Sequence, residues 1–378
     1  MFRKKIGLYI HIPFCVSKCR YCDFLSMPYD YDVREQYTMS LCKEIERFAK
    51  EHADEYVVNS VFFGGGTPSI LEPELFEKII STVRDNFKMN TDSEITIECN
   101  PGTVTYDKLG TYKENGVNRI SFGLQSANDS ELKALGRIHT FSDFMDSYDN
   151  ALKAGFSNIN VDIMSALPSQ GVEGYRNTLE KVLSLDIKHI SAYSLIIEEG
   201  TPFFEMNEKG LLKLPSEEDE RQMYYMTEEL LAKNGFHRYE ISNYARDGYE
   251  CRHNKIYWER GEYAGFGLGA ASLISDIRYS NTRDMKEYLE DFSSGRENEI
   301  LSLEDKMSEF MFLGLRMTKG IEISEFERQF KSDIYDIFGS EIKKHEGNGL
   351  LVEKEGRLML TGKGFDLSNY VFADFYLG

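Results

Sequence analysis

The chain has 378 residues, 41% of them hydrophobic, which is enough for one large domain with its own core and a smaller appendage. It carries 44 Lys and Arg against 63 Asp and Glu, a formal charge of -19, and no basic run. This balance argues against an extended phosphate-binding surface, so no nucleic-acid partner is predicted. No apolar stretch approaches the roughly 20 residues that a membrane span needs, so no transmembrane segment is predicted.

The N-terminal residues do not have the pattern of a signal peptide. The apolar stretch after Lys5 is short and is interrupted by His11 and Pro13. The six cysteines of the chain indicate metal binding or catalysis rather than a disulfide framework. We therefore expect a cytoplasmic protein, and contact with a membrane surface stays open.

Residues 6 to about 195 alternate short β-rich runs with helical stretches. The six predicted strands have the sequences IGLYIHI, VNSVFFGG, EITIEC, RISFGLQ, INVDIMSAL and HISAYSLI. The predicted helices between them are 37–53, 73–86, 106–115, 142–154 and 175–185. Strict alternation implies an α/β fold with parallel strands joined by right-handed crossovers, as a partial barrel or an open sheet.

The pattern changes after residue 200. An acidic helix over 217–234 precedes the tyrosine-rich stretch HRYEISNYARDGYECRHNKIYW, for which we expect little helix. A helix over 304–317, a second near 323–329 and a strand-turn-strand in LVEKEGRLMLTGKG predict a small domain with the outline of a winged helix. Because this domain is not basic, we favour a packing or lid role over DNA binding.

The segment CVSKCRYC carries Cys15, Cys19 and Cys22 at spacings of four and three, directly after the first predicted strand. One loop can thus offer three thiolates to a cubane iron–sulfur cluster, whereas a zinc site would normally need a fourth ligand. Three thiolates leave one iron open to the amino and carboxylate groups of S-adenosylmethionine (SAM). We therefore predict a [4Fe-4S] cluster and SAM, with a zinc knuckle as the alternative.

Further polar and glycine residues follow the predicted strands. The turn GGGTPS permits close backbone approach to a ligand, although a purely structural turn closed by Pro68 would explain it as well. Glu98, Gln125, Arg137 and Asp162 lie within, at or after the ends of successive strands, and the carboxyl ends of parallel strands form one binding face. As a set they could bind ribose hydroxyls and pair a carboxylate.

The segment CRHNKIYW concentrates potential iron ligands and aromatic faces, which could hold a flat macrocycle. A single histidine such as His253 is also a common core or surface residue. Both interpretations of His253 stay open on the residues alone.

The segments YIHIPFCVSKCRYCDF, GGGTPS, SFGLQSANDSELKALGRIHT, HISAYSLIIEEGTPF and YECRHNKIYW together resemble the radical SAM haem chaperones of the HemW family. These are relatives of the oxygen-independent coproporphyrinogen III oxidases of the HemN type. The resemblance implies that Cys15, Cys19 and Cys22 bind the cluster and that His253 is a haem ligand. The implied SAM-contact residues are Tyr9, Tyr21, Gly66, Thr67, Glu98, Gln125, Arg137 and Asp162.

Two positions refine the resemblance. The oxidases have a further cysteine two residues after the third cluster cysteine, and this chain has Phe24 there, as the chaperones do. Where family members commonly read GAHS, this chain reads GAAS, with Ala271 in place of the histidine.

The resemblance predicts a protein that binds haem as cargo and passes it to a haem-dependent partner protein. The first alternative is an oxidase that decarboxylates porphyrinogen propionates through a 5′-deoxyadenosyl radical, and the second is a radical methylase or a haem-degrading relative. The implied fold is a partial (β/α)6 radical SAM barrel over 1–200. A HemN-like extension over 201–300 would carry the candidate haem site, and 301–378 would form a winged-helix-like α+β domain.

Overall fold

The computed structural model describes residues 3–377. Six parallel strands follow one another in chain order through the middle of a 12-stranded sheet. They are β1 (Lys4–Ile12), β2 (Tyr56–Gly65), β3 (Met89–Cys99), β4 (Arg119–Gln125), β5 (Ile159–Ser165) and β6 (His189–Ser194). All six coincide with predicted strands. The strand β4 is buried along its whole length, as is typical of a parallel sheet covered by helices.

Helices connect these strands. They are α1 (Tyr31–His52), α2 (Pro73–Asn86), α3 (Tyr106–Glu114), α4 (Asp129–Leu135), α5 (Phe141–Lys153) and α6 (Val172–Leu183). Pro73 begins α2 because its missing N–H is one that a first helical turn leaves unbonded anyway. Thr140 and Asp143 form a capping box that begins α5. The short helix α4 was not predicted.

The sheet curves into a partial barrel. One internal cavity is lined by Tyr9 and Phe62 from β1 and β2 together with Asp162 and Ser191 from β5 and β6. Side chains from both ends of the six-strand run can share a cavity only if the sheet bends around it. The predicted partial barrel is confirmed.

Between the six-strand run and residue 300, six short strands extend the sheet at both ends and four helices accompany them. They are α7 (Pro202–Glu208), α8 (Glu217–Lys233), β7 (His237–Arg238), β8 (Asn243–Ala245), α9 (Arg252–Trp258), β9 (Tyr263–Phe266), β10 (Ala271–Ile274), β11 (Ile277–Ser280), α10 (Met285–Glu290) and β12 (Asn298–Ile300). The strand β9 pairs with β1, and β8 pairs with β6.

The helix α9 corrects the expectation of little helix in the tyrosine-rich stretch. The Glu94 carboxylate accepts hydrogen bonds from the backbone amides of Arg252 (3.2 Å) and His253 (3.1 Å). It therefore caps the helix from β3, a distant part of the sequence that a local pattern cannot show.

A second hydrophobic core lies in the C-terminal part, between Met307 and Phe375. Its elements are α11 (Leu303–Gly314), β13 (Ile321–Glu322), α12 (Ile323–Phe330), α13 (Ile334–Gly347), β14 (Leu351–Lys354), β15 (Arg357–Leu360), α14 (Gly362–Asp366) and α15 (Ser368–Ala373). The three strands form a small separate sheet, as the winged-helix outline predicts. Of the helices within residues 3–377, none is both long and apolar enough to cross a bilayer.

Candidate functional site

The cysteine loop lies between β1 and α1 and is anchored by backbone hydrogen bonds. The Cys15 amide donates to the carbonyl of Met27 (3.2 Å), and the Met27 amide donates to the carbonyl of Pro13 (3.0 Å). The Arg20 amide donates to the Leu135 carbonyl at the end of α4 (2.9 Å). The loop is thus held at its base and in its middle, which fixes where its three thiols point.

Cys15, Cys19 and Cys22 are half-buried and line one cavity of about 350 Å³. Burial raises the pKa of the Cys22 thiol to about 11, so metal binding would have to displace its proton. Within the described part of the chain, no three His, Cys, Asp or Glu side chains converge closely enough to hold a single metal ion. The thiolates of a cubane bind different irons at different corners, so three separated cysteines on one loop fit a cluster better than a mononuclear ion.

The turn after β2 packs directly beneath this loop. The amides of Gly66 and Thr67 donate to the carbonyls of Ile12 (2.9 Å) and Phe14 (2.7 Å). A Cβ atom on Gly66 would lie 2.7 Å from the Phe14 oxygen and 3.1 Å from the Cys15 Sγ. Glycine is therefore required here for the close approach of two backbones, in addition to any ligand that the turn binds.

Arg137 lies between the cysteine loop and β4. Its guanidinium donates to the Gly123 carbonyl, to the Asn100 side-chain oxygen (3.2 Å) and to the Cys19 Sγ (3.6 Å). Its Nε is buried without a hydrogen-bond partner. A cation with an unfilled donor beside Cys19 suits an anionic group bound next to the cluster loop.

Gln125 ends β4 in an unusual backbone conformation. Its φ is 70°, and the pairing of β4 with β5 shifts register between Gly123 and Gln125. The Tyr193 hydroxyl donates to the Gln125 side-chain oxygen (3.1 Å). The bulge and this hydrogen bond together hold the Gln125 amide at the cavity wall.

Glu98 on β3 and Asp162 on β5 bring two carboxylates to the same cavity. Burial, reinforced by the neighbouring Asp162 charge, raises the pKa of Glu98 to about 8. Burial also raises the pKa of Asp162, against a hydrogen bond from the Asn160 side chain (2.7 Å). The site can therefore offer a carboxyl group as donor or acceptor near neutral pH.

A second cavity, of about 200 Å³, lies deeper between the strands. It shares Glu98, Ser121, Asp162, Ser191 and Asn254 with the first cavity, so the two adjoin. Tyr9, Phe62, Arg119, Asn160, His253 and Tyr257 complete its wall. The other predicted cluster and SAM-contact residues line the larger cavity, and Tyr9 and His253 line this one.

His253 is held tightly, with 1% of its surface exposed. Its Nδ1 lies 2.9 Å from the Ser60 hydroxyl and its Nε2 lies 2.8 Å from the Tyr257 hydroxyl. The ring stacks on Phe62 at a centroid distance of 5.2 Å, and burial lowers its pKa to about 3. In this conformation both ring nitrogens have hydrogen-bond partners, so coordination of iron would displace the partner of one nitrogen.

Two further polar side chains that the sequence did not predict there line the cavities. Asn100, which bridges Arg137 and Thr67, directly follows β3 and could have been found by the strand-end rule. Arg119 begins β4, at the edge opposite the binding face, where that rule gives no signal. Ala271 begins β10 and lines neither cavity, so this position contributes no side chain to the site of this chain.

Comparison with known proteins places this site in a family. Residues 9–182 match the radical SAM superfamily and residues 301–367 match the HemN C-terminal domain. A [4Fe-4S] cluster and SAM are the cofactors of radical SAM proteins, and they are the cofactors of this chain. The solved structure of the coproporphyrinogen III oxidase HemN from Escherichia coli has the same fold, with a TM-score of 0.86 at 23% identity over 99% of this chain and 91% of that one.

Curated relatives match the chain from end to end. It is 37% identical to the heme chaperone HemW of Lactococcus lactis subsp. lactis over 379 residues, covering 100% of this chain and 99% of the relative. It is 36% identical to the heme chaperone HemW of Bacillus subtilis, covering 97% and 98%. With that degree of identity along the whole length, the chain belongs to the HemW family of radical SAM proteins.

Proposed function

We propose that this protein binds haem and transfers it to a haem-dependent partner protein in the cytoplasm. The observation that carries the proposal is the 37% identity with a named haem chaperone over the full length of both chains. Phe24, where the related oxidases have a cysteine, supports the same choice. It is 63% exposed on the wall of the cluster cavity and offers no thiol there.

In this proposal Cys15, Cys19 and Cys22 would hold the [4Fe-4S] cluster, which, once reduced by an external electron donor, would supply one-electron chemistry to bound SAM. The side chain of Arg137 pairs with the SAM carboxylate, since its guanidinium lies beside Cys19 with one donor unfilled. The remaining SAM contacts come from Tyr9, Tyr21, Gly66, Thr67, Glu98, Gln125 and Asp162, which line the two adjoining cavities.

His253 is the proposed haem ligand, and its burial makes haem binding a conformational event. To coordinate iron, one ring nitrogen must give up its Ser60 or its Tyr257 partner, and the buried ring must become accessible. Its low pKa means that it is already neutral at physiological pH, the form that coordinates iron. Slow, saturable haem uptake is therefore expected.

The test is an anaerobic haem titration of cluster-loaded protein, followed by the Soret band. We expect stoichiometric uptake by the wild type and a changed Soret band for His253→Ala. His237→Ala is the matched control, because His237 is exposed on β7 and lines neither cavity. No saturable uptake by the wild type would contradict the proposal, and an identical Soret band for His253→Ala would remove His253 as ligand.

The oxidase alternative is tested in the same preparation. Reduced protein incubated anaerobically with SAM and coproporphyrinogen III is expected to yield no protoporphyrinogen. Formation of that product would replace haem transfer by the oxidase reaction as the function of this chain.

A further inference from the structure

Arg119 is a buried charge without a partner. It begins β4, and 2% of its surface is exposed. Among residues 3–377 no carboxylate oxygen lies within 4.0 Å of its guanidinium, and its Nε has no hydrogen-bond partner. A buried guanidinium without a paired anion is energetically unfavourable on general grounds. The unpaired guanidinium of Arg119 is therefore expected to have a functional role.

The position of Arg119 on β4 connects it to the site. Alternate residues of a strand face the same side, and Arg119 and Ser121 both line the deeper cavity. Ser121, Gly123 and Gln125 in turn line the cluster cavity. Along β4, Arg119 therefore precedes Ser121, which pairs with Glu98 on β3, and Gly123, which pairs with Asp162 on β5.

Several titratable groups surround Arg119 in the deeper cavity. Glu94 on β3 accepts hydrogen bonds from the amides of α9, and its charge also acts on Arg119. The imidazoles of His189 and His253 are kept neutral by burial, with Arg119 lowering the pKa of each further. The other titratable groups that face Arg119 are Tyr239, Cys251, Asp162 and Glu98.

Two cations therefore act on the carboxylate pair. Burial raises the pKa of Glu98 and of Asp162, and the Arg119 charge lowers both pKa values. Arg137, on the side of the cysteine loop, also lowers the pKa of Asp162. Arg137 is bound to Gly123, Asn100 and Cys19, whereas Arg119 is fixed by no such contact.

We propose that Arg119 is a positioning residue that acts through Glu98 and Asp162, favouring their ionised forms so that a larger fraction of the pair accepts hydrogen bonds from the hydroxyl and ammonium groups of SAM. The inference rests on the proposed assignment of both carboxylates to SAM. Without the Arg119 charge, only Arg137 and neutral hydrogen-bond donors would counter the increase in carboxyl pKa that burial causes. The carboxylates would then ionise at a higher pH and accept hydrogen bonds poorly at neutral pH.

The test measures the dissociation constant of SAM against pH for the cluster-loaded protein. For Arg119→Gln we expect binding at neutral pH to weaken by about tenfold, with recovery at alkaline pH, since a shift of one pKa unit corresponds to a factor of ten. Arg119→Lys keeps a positive charge in the cavity and should keep the wild-type pH profile. The matched control is Arg238→Gln, which removes a largely buried arginine that is paired with Glu228 outside both cavities.

A second measurement does not depend on SAM. Difference infrared spectroscopy of the ligand-free protein follows the protonated carboxyl band through a pH titration, with Glu98→Gln and Asp162→Asn to assign it. A carboxyl band that titrates at higher pH in Arg119→Gln, with wild-type behaviour in Arg119→Lys, supports the proposal.

An unchanged infrared midpoint in Arg119→Gln would overturn it, as would a loss of SAM affinity that is equal at every pH. If Arg119→Gln does not fold, a wild-type titration midpoint in Arg119→Lys supports the proposal, and a midpoint raised despite the retained charge overturns it. If the infrared shift occurs but the wild type does not bind SAM, the electrostatic role stands and the SAM assignment fails.

Discussion

The Arg316 guanidinium lies 4.2 Å from the centroid of the Trp258 ring and 3.5 Å from the Glu240 carboxylate. Trp258 is the last residue of α9, the helix that carries His253, and Arg316 follows α11 in the C-terminal part. The next two residues after Trp258 continue the contact, because Glu259 pairs with Lys319 (2.6 Å) and Arg260 pairs with Glu309 (2.9 Å). The end of α9 is thus fastened to the C-terminal part by three consecutive residues.

Replacing Arg316 by Gln should loosen α9. The change removes a cation–π contact and leaves the fully buried Glu240 without its cation, so we expect a loss of about 2–4 kcal/mol in the free energy of unfolding. Faster amide hydrogen exchange in α9 should accompany it. The control is Arg328→Gln, an arginine that is 72% exposed and pairs only within α12. Equal exchange in α9 for the two variants would show that this junction does not restrain the helix.

Glu44 should be a strong determinant of stability. Its carboxylate is buried under α1 and accepts hydrogen bonds from the Asn281 side chain (2.7 Å), the Tyr288 hydroxyl (2.7 Å) and the Gly267 amide (2.9 Å). Arg296 supplies the opposite charge. Glu44→Ala leaves these three buried donors without an acceptor, and each unsatisfied group typically costs about 1–3 kcal/mol, so we expect a loss of about 3–5 kcal/mol in urea unfolding.

The exposed Glu46 on the same helix provides the control for this change. Glu46→Ala should shift the unfolding free energy by less than about 0.5 kcal/mol. A Glu44→Ala variant as stable as Glu46→Ala would mean that the network does not attach the strands β9–β12 to α1.

The central strands could be predicted from the sequence because their hydrophobic runs and intervening amphipathic helices are local signals. The bounds of α2 were predicted to the residue, since Pro73 marks its start. The helix α9 could not be predicted, because its cap is Glu94, 158 residues before Arg252. Likewise, no local pattern shows that His253 is hydrogen-bonded to Ser60, 193 residues away.

Gly66→Ala should impair cluster assembly more than folding. The added methyl group would lie 2.7 Å from the Phe14 carbonyl oxygen and 3.1 Å from the Cys15 Sγ, so the cysteine loop must shift. We expect reduced iron content and reduced cluster absorbance after reconstitution. Gly110→Ala is the control, because a Cβ there meets nothing within 4 Å. Equal iron loading in both variants would contradict the tight packing of the turn against the loop.

The ionisation of Glu98 should make the ligand-free protein less stable at alkaline pH. Burial and the Asp162 charge raise the pKa of Glu98 to about 8 in the folded protein, whereas an exposed glutamate has a pKa of about 4.3. Between these pKa values the folded state holds a proton that the unfolded state has lost. The stabilisation from protonated Glu98 is therefore full below the unfolded pKa and is lost as the pH rises through the folded pKa.

In Glu98→Gln this part of the pH dependence should disappear. Urea unfolding of both proteins at about pH 6 and about pH 9 checks the sign. A wild type that loses no more stability than Glu98→Gln between these pH values would show that Glu98 is ionised throughout the range.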